Sequence, residues 1–412
     1  MKKIRLQLLF VLLLLMTGAN AQKIDQRLTN LVNQVSLRRA QGLHPIDAKA
    51  VNRSMAVDFN ADGSTRVKRA YVYSAFDVTN KKAIYKEYDE TNVGQLTCDT
   101  TGLSHGTHTS ATAGGSEIGN GFQGVAPGAD LVLCGLSGHL STSNINDALG
   151  KIFDYATSVN KPAVVSISLG LITGFHDGVD ATAQLVGELT NNGTKPGRAV
   201  LISSSNAASN WESIIKMMYD TTTELKTVLG ASSVSSNGVI YKSEYSFYAN
   251  DYKDFDIQLK VVNLKTGVLS DLGNHVLDLE GNPVTADDLL KAYGGQPRVT
   301  GEKGYIYYLE TDRTSVKMDN SDYRLALVVK ANSADQVIKM ICAGDNNDEP
   351  CFDAPNRTGE YNFLDNGFTK GNGDMAFNVT VCNNAVISVG SYITSPEWTN
   401  YKEKNTNTGS HR

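Results

Sequence analysis

The sequence has little cysteine, no apolar run long enough to cross a bilayer, and no excess of positive charge. Five cysteines are scattered over 412 residues, too few for a disulfide scaffold or a zinc cluster. The leading apolar run, residues 8–16, falls well short of the ~20 residues that span a membrane. A formal net charge of −5 gives no electrostatic reason to bind nucleic acid or an anionic membrane.

The first residues have the composition of a secretory signal peptide. Three basic residues lie among the first five, the apolar run follows, and residues 19–21 read Ala-Asn-Ala, a small-x-small cleavage site. We therefore expect residues 1–21 to be removed by cleavage after Ala21. The mature chain is then secreted or periplasmic.

Three of the cysteines have informative surroundings. Cys134 lies in the apolar run 131–134, which predicts a buried strand and a core thiol. Cys342 and Cys351 bracket the polar segment 343–350, which we interpret as an exposed loop. In an oxidising compartment we expect these two cysteines to form a disulfide.

Between residues 143 and 202 the chain alternates between helix and strand patterns. Apolar residues recur at helical spacing and predict an amphipathic helix over 143–158. Two apolar runs, 163–167 and 199–202, flank a second predicted helix near 180–190. This order is typical of a parallel α/β sheet whose strands are buried on both faces. Because sites in such sheets lie at the carboxyl ends of the strands, the loops to consider are 168–171 and 203–208.

From about residue 211 the pattern changes to that of an antiparallel β-sandwich. Strand-like segments between polar turns occur at residues 255–261, 304–309 and 324–330. We expect a β-rich accessory domain over 211–380, which positions substrate, binds glycan or protein, or braces its neighbour. A further strand with one wet face is predicted over 65–73.

The clearest motif is the stretch 104–115, where His105 precedes Gly-Thr-His and a run of small residues. Such a stretch suits a helix that packs closely on other backbone and exposes a general base at its start. It resembles the histidine motif of the subtilisin-like serine peptidases (subtilases), in which this histidine belongs to a Ser-His-Asp triad. Four further segments match the family in the same order: residues 124–131, 164–170, 199–206 and 386–391.

The resemblance implies a fold and a domain plan. The fold class is α/β, a subtilisin-like three-layer domain with a parallel sheet, interrupted by the antiparallel β-sandwich. The peptidase domain would occupy residues 55–210 and 381–412, with the insert at 211–380. Residues 22–54 would be a leader or linker remnant, too short for a whole inhibitory propeptide.

The resemblance also assigns roles to residues in the two loops. Ser168, Leu169 and Gly170 would form one wall of the cleft, where an extended peptide pairs as an added strand. Asn206 would donate its amide to the oxyanion, although Ser-Ser-Asn-Ala-Ala replaces the family's A-G-N-x-G here, and a plain turn asparagine is the alternative. Substrates would be proteins or peptides, with no cofactor required. Calcium sites and the oligomeric state are left open.

Two parts of the triad are missing from the sequence. Neither D-[ST]-G after an apolar strand nor G-T-S-M-A occurs. Asp58 and Asp62 lack the preceding strand, and Asp99 lies only six residues before His105. We therefore expect an incomplete subtilase, with its acid strand lost internally and its serine lost by truncation, and we expect the chain as given not to cleave peptides.

The sequence suggests three other interpretations. Residues 119–124 fit G-x-G-x-x-G, but this segment follows a helix and opens a strand, the reverse of a dinucleotide loop. A metal hydrolase using His105 and His108 would need H-E-x-x-H, and Gly106 occupies the glutamate position. A non-catalytic secreted pseudo-peptidase that binds through the insert remains an alternative.

Overall fold

The computed structural model describes residues 65–96, 105–116, 124–136, 140–170, 172–178, 180–205, 212–235, 238–297, 303–311, 315–343, 349–356, 361–375, 377–390 and two short strands after them. The predicted signal peptide and leader lie outside these residues. The chain divides into two compact units, residues 1–148 and 149–412. No helix in the described ranges is long and apolar enough to cross a membrane.

The helices are α1 (His105–Gly114), α2 (Thr142–Ser158), α3 (Ala181–Thr190) and α4 (Ala286–Leu289), with short 3-10 helices at Val93–Gln95 and Val379–Cys382. The strands are β1 (Val67–Asp77), β2 (Lys82–Asp89), β3 (Leu131–Gly135), β4 (Ala163–Ile167), β5 (Arg198–Ser203), β6 (Ser213–Met218), β7 (Leu225–Leu229), β8 (Ser233–Ser235), β9 (Gly238–Tyr241), β10 (Glu244–Ala249), β11 (Asp256–Asn263), β12 (Leu269–Ser270), β13 (Val276–Asp278), β14 (Leu290–Pro297), β15 (Lys303–Glu310), β16 (Val316–Met318), β17 (Tyr323–Lys330), β18 (Gln336–Ala343), β19 (Phe352–Asp353), β20 (Ile387–Val389), β21 (Glu397–Thr399) and β22 (Asn405–Asn407).

In the first unit, one sheet has the strand order β2-β1-β3. β1 turns back into β2 as an antiparallel hairpin, and β3 runs parallel to β1. The turn forms because the Asp77 carboxylate accepts hydrogen bonds from the backbone N–H groups of Thr79 and Asn80, each at 3.0 Å. The strand predicted over 65–73 is therefore confirmed, and it continues to residue 77.

The start of α2 packs on this sheet. The buried Tyr73 hydroxyl donates a 2.8 Å hydrogen bond to Asp147. Ala148 joins Tyr71 and Tyr73 in one apolar cluster. Cys134 is a half-buried neighbour in this cluster, and burial raises its pKa to about 12. The predicted helix over 143–158 is confirmed within one residue at its start.

In the second unit, a parallel sheet has the order β20-β5-β4. α3 connects β4 to β5; Asp180 caps its start by accepting from two backbone N–H groups, and Asn191 ends it in the left-handed conformation with φ 49°. The strands predicted at 163–167 and 199–202 are confirmed. The expectation that both faces are buried is wrong for β4, because Val164, which is 70% exposed, and Ser166 are alternate residues and leave one face of the strand open.

Between β5 and β20 the strands of the described sheets pair antiparallel. Two five-stranded sheets have the orders β14-β15-β10-β18-β6 and β12-β11-β17-β7-β19, and a four-stranded sheet has the order β13-β16-β9-β8. Alternate side chains from both five-stranded sheets meet in one apolar core, among them Phe247, Leu259, Leu327 and Met340. The strands predicted at 255–261, 304–309 and 324–330 correspond to β11, β15 and β17.

The two cysteines expected to bracket an exposed loop lie instead in this core. Cys342 is in β18, Cys351 immediately precedes β19, and both are fully buried. The structure has both as thiols, with a hydrogen bond between their side chains. The expected disulfide is therefore wrong, and residues 344–348 of the predicted loop lie outside the described residues. Burial, followed by the bond to Cys351, raises the pKa of the Cys342 thiol well above its ordinary value.

We predict that neither thiol reacts with iodoacetamide in the folded protein, because burial excludes the reagent and disfavours the thiolate. Mass spectrometry should find both cysteines unlabelled under native conditions and both labelled after unfolding in guanidinium chloride. A disulfide-linked peptide containing both residues would contradict the assignment.

A buried ion pair connects β17 to the segment before β19. Arg324 Nε and Nη2 donate to the two Glu349 carboxylate oxygens at 2.7 Å each. The guanidinium also donates to the carbonyls of Ser321 and Tyr323. Glu349 in turn accepts from the Ala231 N–H at 3.1 Å. The two charged groups compensate each other, so removing the Glu349 carboxylate leaves the buried Arg324 guanidinium without its counter-charge.

Glu349→Ala should therefore lower the free energy of unfolding by about 3–5 kcal/mol, measured by denaturant titration. The matched control is Asp271→Ala, which breaks the Lys260–Asp271 pair, whose aspartate is 89% exposed. This control should unfold like the wild type, because water screens an exposed pair. Equal effects of the two substitutions would show that burial does not decide the strength of these pairs.

Candidate functional site

His105 is the first residue of α1, and its side chain is exposed. The hydroxyls of Thr109 and Ser110 donate to the Gly106 carbonyl at 3.2 and 2.7 Å. The rest of α1 is built from small residues, so other backbone can approach it closely. A histidine at the start of such a helix is held by rigid backbone while its ring stays accessible, which is what a general base requires.

A glycine-containing segment closes over the end of α1. The N–H groups of Gly124, Val125 and Ala126 donate to three carbonyls of residues 112–115 at 2.8–3.0 Å. A Cβ on Gly124 would lie 2.4 Å from the Gly115 nitrogen, so no other residue fits there. Residues 117–123, which lead into this segment, lie outside the described ranges.

Arg66 fixes the same helix from the other side, and the sequence did not single it out. The residue is 2% exposed. Its guanidinium donates to the Gly114 carbonyl, to the Ala129 carbonyl at 2.8 Å and to Ser116 Oγ at 3.2 Å. A cation at the last carbonyls of a helix supplies the donors that the helix end lacks and complements its dipole. An arginine at the start of a strand gives no sequence signal for this role.

In the second unit, the loops after β4 and β5 are held together. Ser168 and Leu169 are half-buried and Gly170 is exposed. The Ser203 hydroxyl donates to the Leu169 carbonyl at 3.3 Å. Asn378, a buried residue that follows the antiparallel strands, also donates to Leu169, at 3.0 Å. The structure therefore brings together the two loops that the parallel-sheet pattern predicted, and adds a residue that the sequence gave no reason to select.

The chain beyond Gly170 is fixed to the antiparallel sheet. Thr173 donates to the Glu244 carboxylate, the Gly174 N–H to Ser246 Oγ, and the His176 N–H to the Tyr248 hydroxyl, each at 3.0 Å. The acceptors are alternate residues of β10 and therefore share one face of its sheet. Burial holds the pKa of His176 below its ordinary value. The segment after Gly170 thus lies along β10.

The remaining predicted site residues have the following positions. His105 belongs to the first unit, and Ser168, Leu169 and Gly170 to the second. Asn206 lies outside the described residues, as do the acidic candidates Asp58, Asp62 and Asp99. Within the described ranges, no group of three His, Cys, Asp or Glu side chains is arranged to hold a metal ion.

A sequence model of the subtilase family of peptidases matches residues 24–273, more than half of the chain. The chain belongs to the subtilase family. The solved structure of the Clostridium perfringens CspB protease matches it with a TM-score of 0.50 at 15% identity, covering 89% of this chain and 78% of that one. At this identity the likeness shows a common fold. No curated protein matches the chain.

Subtilases use a serine as nucleophile, and two serines, one at the end of β5 and one just after it, have defined surroundings. Ser203 donates its hydroxyl proton to the Leu169 carbonyl, so its hydrogen bond serves the loop contact. Ser205 has a positive φ of 135°, a backbone conformation that is strained for a residue with a Cβ. Strain of this kind occurs where surrounding structure fixes a loop, and here it directly precedes the predicted oxyanion residue.

We predict that Gly124→Ala destabilises the protein by about 1–3 kcal/mol, the usual cost of overpacking a close contact. Thermal unfolding should show the loss, and hydrogen exchange should accelerate at the Val125 and Ala126 amides. Gly128→Ala is the matched control, because a Cβ at that residue meets nothing within 4 Å. Similar losses in both variants would mean that the contact with α1 is not the cause.

Proposed function

We propose that the protein is a serine-type endopeptidase of the subtilase kind, directed at peptide bonds of secreted or periplasmic proteins, whose chain as given binds peptides but does not cleave them. His105 is the general base, Asn206 the oxyanion donor, and Ser168, Leu169 and Gly170 the wall that pairs with substrate. The observation that carries the proposal is the pair of hydrogen bonds that Ser203 and Asn378 donate to the Leu169 carbonyl. An exposed Gly170 at the end of a parallel strand offers backbone groups to an extended chain.

The family chemistry defines what each residue does. A serine attacks the scissile carbonyl while the histidine takes its proton and later gives that proton to the leaving amine. A fixed amide donates to the oxyanion that develops in between. The sequence contains neither G-T-S-M-A nor D-[ST]-G. A histidine with no serine to deprotonate cannot start this reaction, so no acyl-enzyme forms.

The antiparallel strands form, in this proposal, an inserted β-sandwich domain over residues 211–380, within a peptidase domain at 55–210 and 381–412. Its support is the common core of the two five-stranded sheets. A second cluster lies on the outer face of one sheet, where Tyr248, Ile306 and Ile341 pack with Ile172 and Phe175. The insert therefore braces the segment that follows the wall, one of the accessory roles expected of it.

The alternative is a non-catalytic secreted pseudo-peptidase that keeps the fold and binds a protein or peptide ligand. The involvement of Ser203 in the contact with Leu169 favours it, since a replacement nucleophile would need a hydroxyl facing the substrate. Both functions use the proposed peptide-binding wall, and neither requires the chain as given to cleave peptides; only the endopeptidase would gain turnover in a version extended with the acid and serine segments.

Cleavage is tested with purified protein on unstructured, fluorescein-labelled casein, beside His105→Ala. We expect neither protein to release fluorescent fragments above the buffer rate, because the nucleophile is missing. Cleavage by the wild type that disappears in His105→Ala would overturn the prediction and show that another serine has taken over the attack.

Binding is tested with a short unstructured peptide and with the same peptide methylated at alternate backbone nitrogens. Fluorescence anisotropy should show tighter binding of the unmethylated peptide, because strand addition needs its N–H groups. Equal binding of the two peptides would contradict recognition by strand addition.

A further inference from the structure

We propose that Asn378 is a positioning residue of the peptide-binding wall, which turns the Leu169–Gly170 peptide group so that the Gly170 N–H faces an incoming chain. This inference rests on the proposed function, because it assigns a task to the same wall. Asn378 lies just before the 3-10 helix Val379–Cys382, far from the wall in sequence. It is 2% exposed.

Asn378 uses three of its polar groups on the two loops and its own segment. Its Nδ2 donates to the Leu169 carbonyl at 3.0 Å and to the Ser203 carbonyl at 3.4 Å. Its backbone N–H donates to the Ser204 carbonyl at 2.7 Å. Its Oδ1 accepts from the Thr380 N–H at 3.1 Å. One side chain thus connects the carboxyl ends of β4 and β5.

The hydrogen bonds to Leu169 fix the orientation of the next peptide group. The Leu169 carbonyl accepts from both Asn378 Nδ2 and Ser203 Oγ, so both of its lone pairs point towards β5. In a planar trans peptide, the carbonyl of one residue and the N–H of the next point to opposite sides. The Gly170 N–H is therefore directed away from Asn378, on the exposed side of the wall.

Asparagine is the side chain that fits this place. Its amide nitrogen carries two hydrogens for two carbonyls, and its oxygen accepts a third bond. Aspartate would set acceptor oxygens against two buried carbonyls, and an apolar residue would leave those carbonyls without their donor. Gly170 lies beside this side chain, since a Cβ on Gly170 would be in ordinary van der Waals contact with Asn378 Nδ2, at 3.7 Å.

The segment that holds Asn378 is itself anchored. Thr380 Oγ1 donates to Asp180 Oδ1 at 3.2 Å, the same carboxylate that caps α3. Phe377, the residue before Asn378, packs on the ring of His176 at 4.9 Å between ring centroids. The wall, α3 and the antiparallel sheet therefore meet at this segment, and Asn378 transmits its position to Leu169.

The test uses Asn378→Asp, with Asn383→Asp as the matched control. Asn383 also donates its amide to a carbonyl, that of Gly178 at 3.4 Å, but does not contact the wall. Fluorescence anisotropy measures binding of the unmethylated peptide to each full-length protein between pH 7.5 and 5, and the melting temperature is recorded at each pH.

We expect Asn378→Asp to bind about tenfold more weakly than the wild type at pH 7.5, the effect of losing one or two buried hydrogen bonds. Burial beside two carbonyls raises the pKa of the new carboxyl. As the pH falls, the protonated acid donates one hydrogen bond again, and the difference from the wild type should shrink. Asn383→Asp should bind like the wild type at every pH.

Other charged groups near the segment are Asp177, Asp180 and Lys339, which act on Cys382. They are present in all three proteins, so the ratio of dissociation constants removes their direct effect on binding, and the negative charges of Asp177 and Asp180 act with burial to raise the pKa of the new carboxyl. If Asn378→Asp binds the peptide with wild-type affinity at pH 7.5, the proposed role of Asn378 is overturned, but the proposed function is not. If both variants lose binding in proportion to a lower melting temperature, the role of Asn378 is also overturned, because the loss then comes from general destabilisation. A wild type that binds no peptide overturns the proposed function.

Discussion

Buried backbone carbonyls need hydrogen-bond donors, and much of this structure depends on three buried side chains that supply them. Arg66 donates to the end of α1, Asn378 to the ends of β4 and β5, and Arg324 to the turn before β17. Arg66 and Asn378 lie far in sequence from these acceptors, whereas Arg324 donates to carbonyls one and three residues before it. The result is that helix and strand ends, where backbone groups lack regular partners, become fixed points.

These hydrogen bonds explain how the parallel sheet accommodates the long segment between β5 and β20. β5 and β20 pair in parallel although the antiparallel strands separate them in sequence. The chain reaches β20 after Asn378. The side chain of Asn378 donates hydrogen bonds to the Leu169 and Ser203 carbonyls, at the ends of β4 and β5. The outer face of one antiparallel sheet meanwhile holds residues 173–176. The residues between β5 and β20 therefore hold the segment that follows Gly170 instead of merely extending from the parallel sheet.

Sequence periodicity predicted the elements well where a single face decides the structure. The helix over 143–158, the runs at 163–167 and 199–202, and the strands β11, β15 and β17 have clear apolar patterns. Periodicity could not reveal Arg66 or Asn378, because a polar residue in a polar segment gives no signal of the distant carbonyl that it meets. It also misplaced Cys342 and Cys351, since a ten-residue polar span suggested exposure while the two thiols pack between sheets.

In the segments that match the subtilase family, packing explains the identity of some residues and not of others. Gly124 is required because backbone of α1 approaches it closely. The segment after β4 is fixed by the hydrogen bonds that the Leu169 carbonyl accepts from Ser203 and Asn378. These matches are therefore evidence about the fold. His105 is different, because its side chain is exposed at the start of α1 and no packing explains it. In the described residues, the close packing of α1 and the hydrogen bonds at the strand ends do not involve the His105 side chain. Replacing His105 would therefore remove the proposed general base without exposing core or taking a donor from a carbonyl.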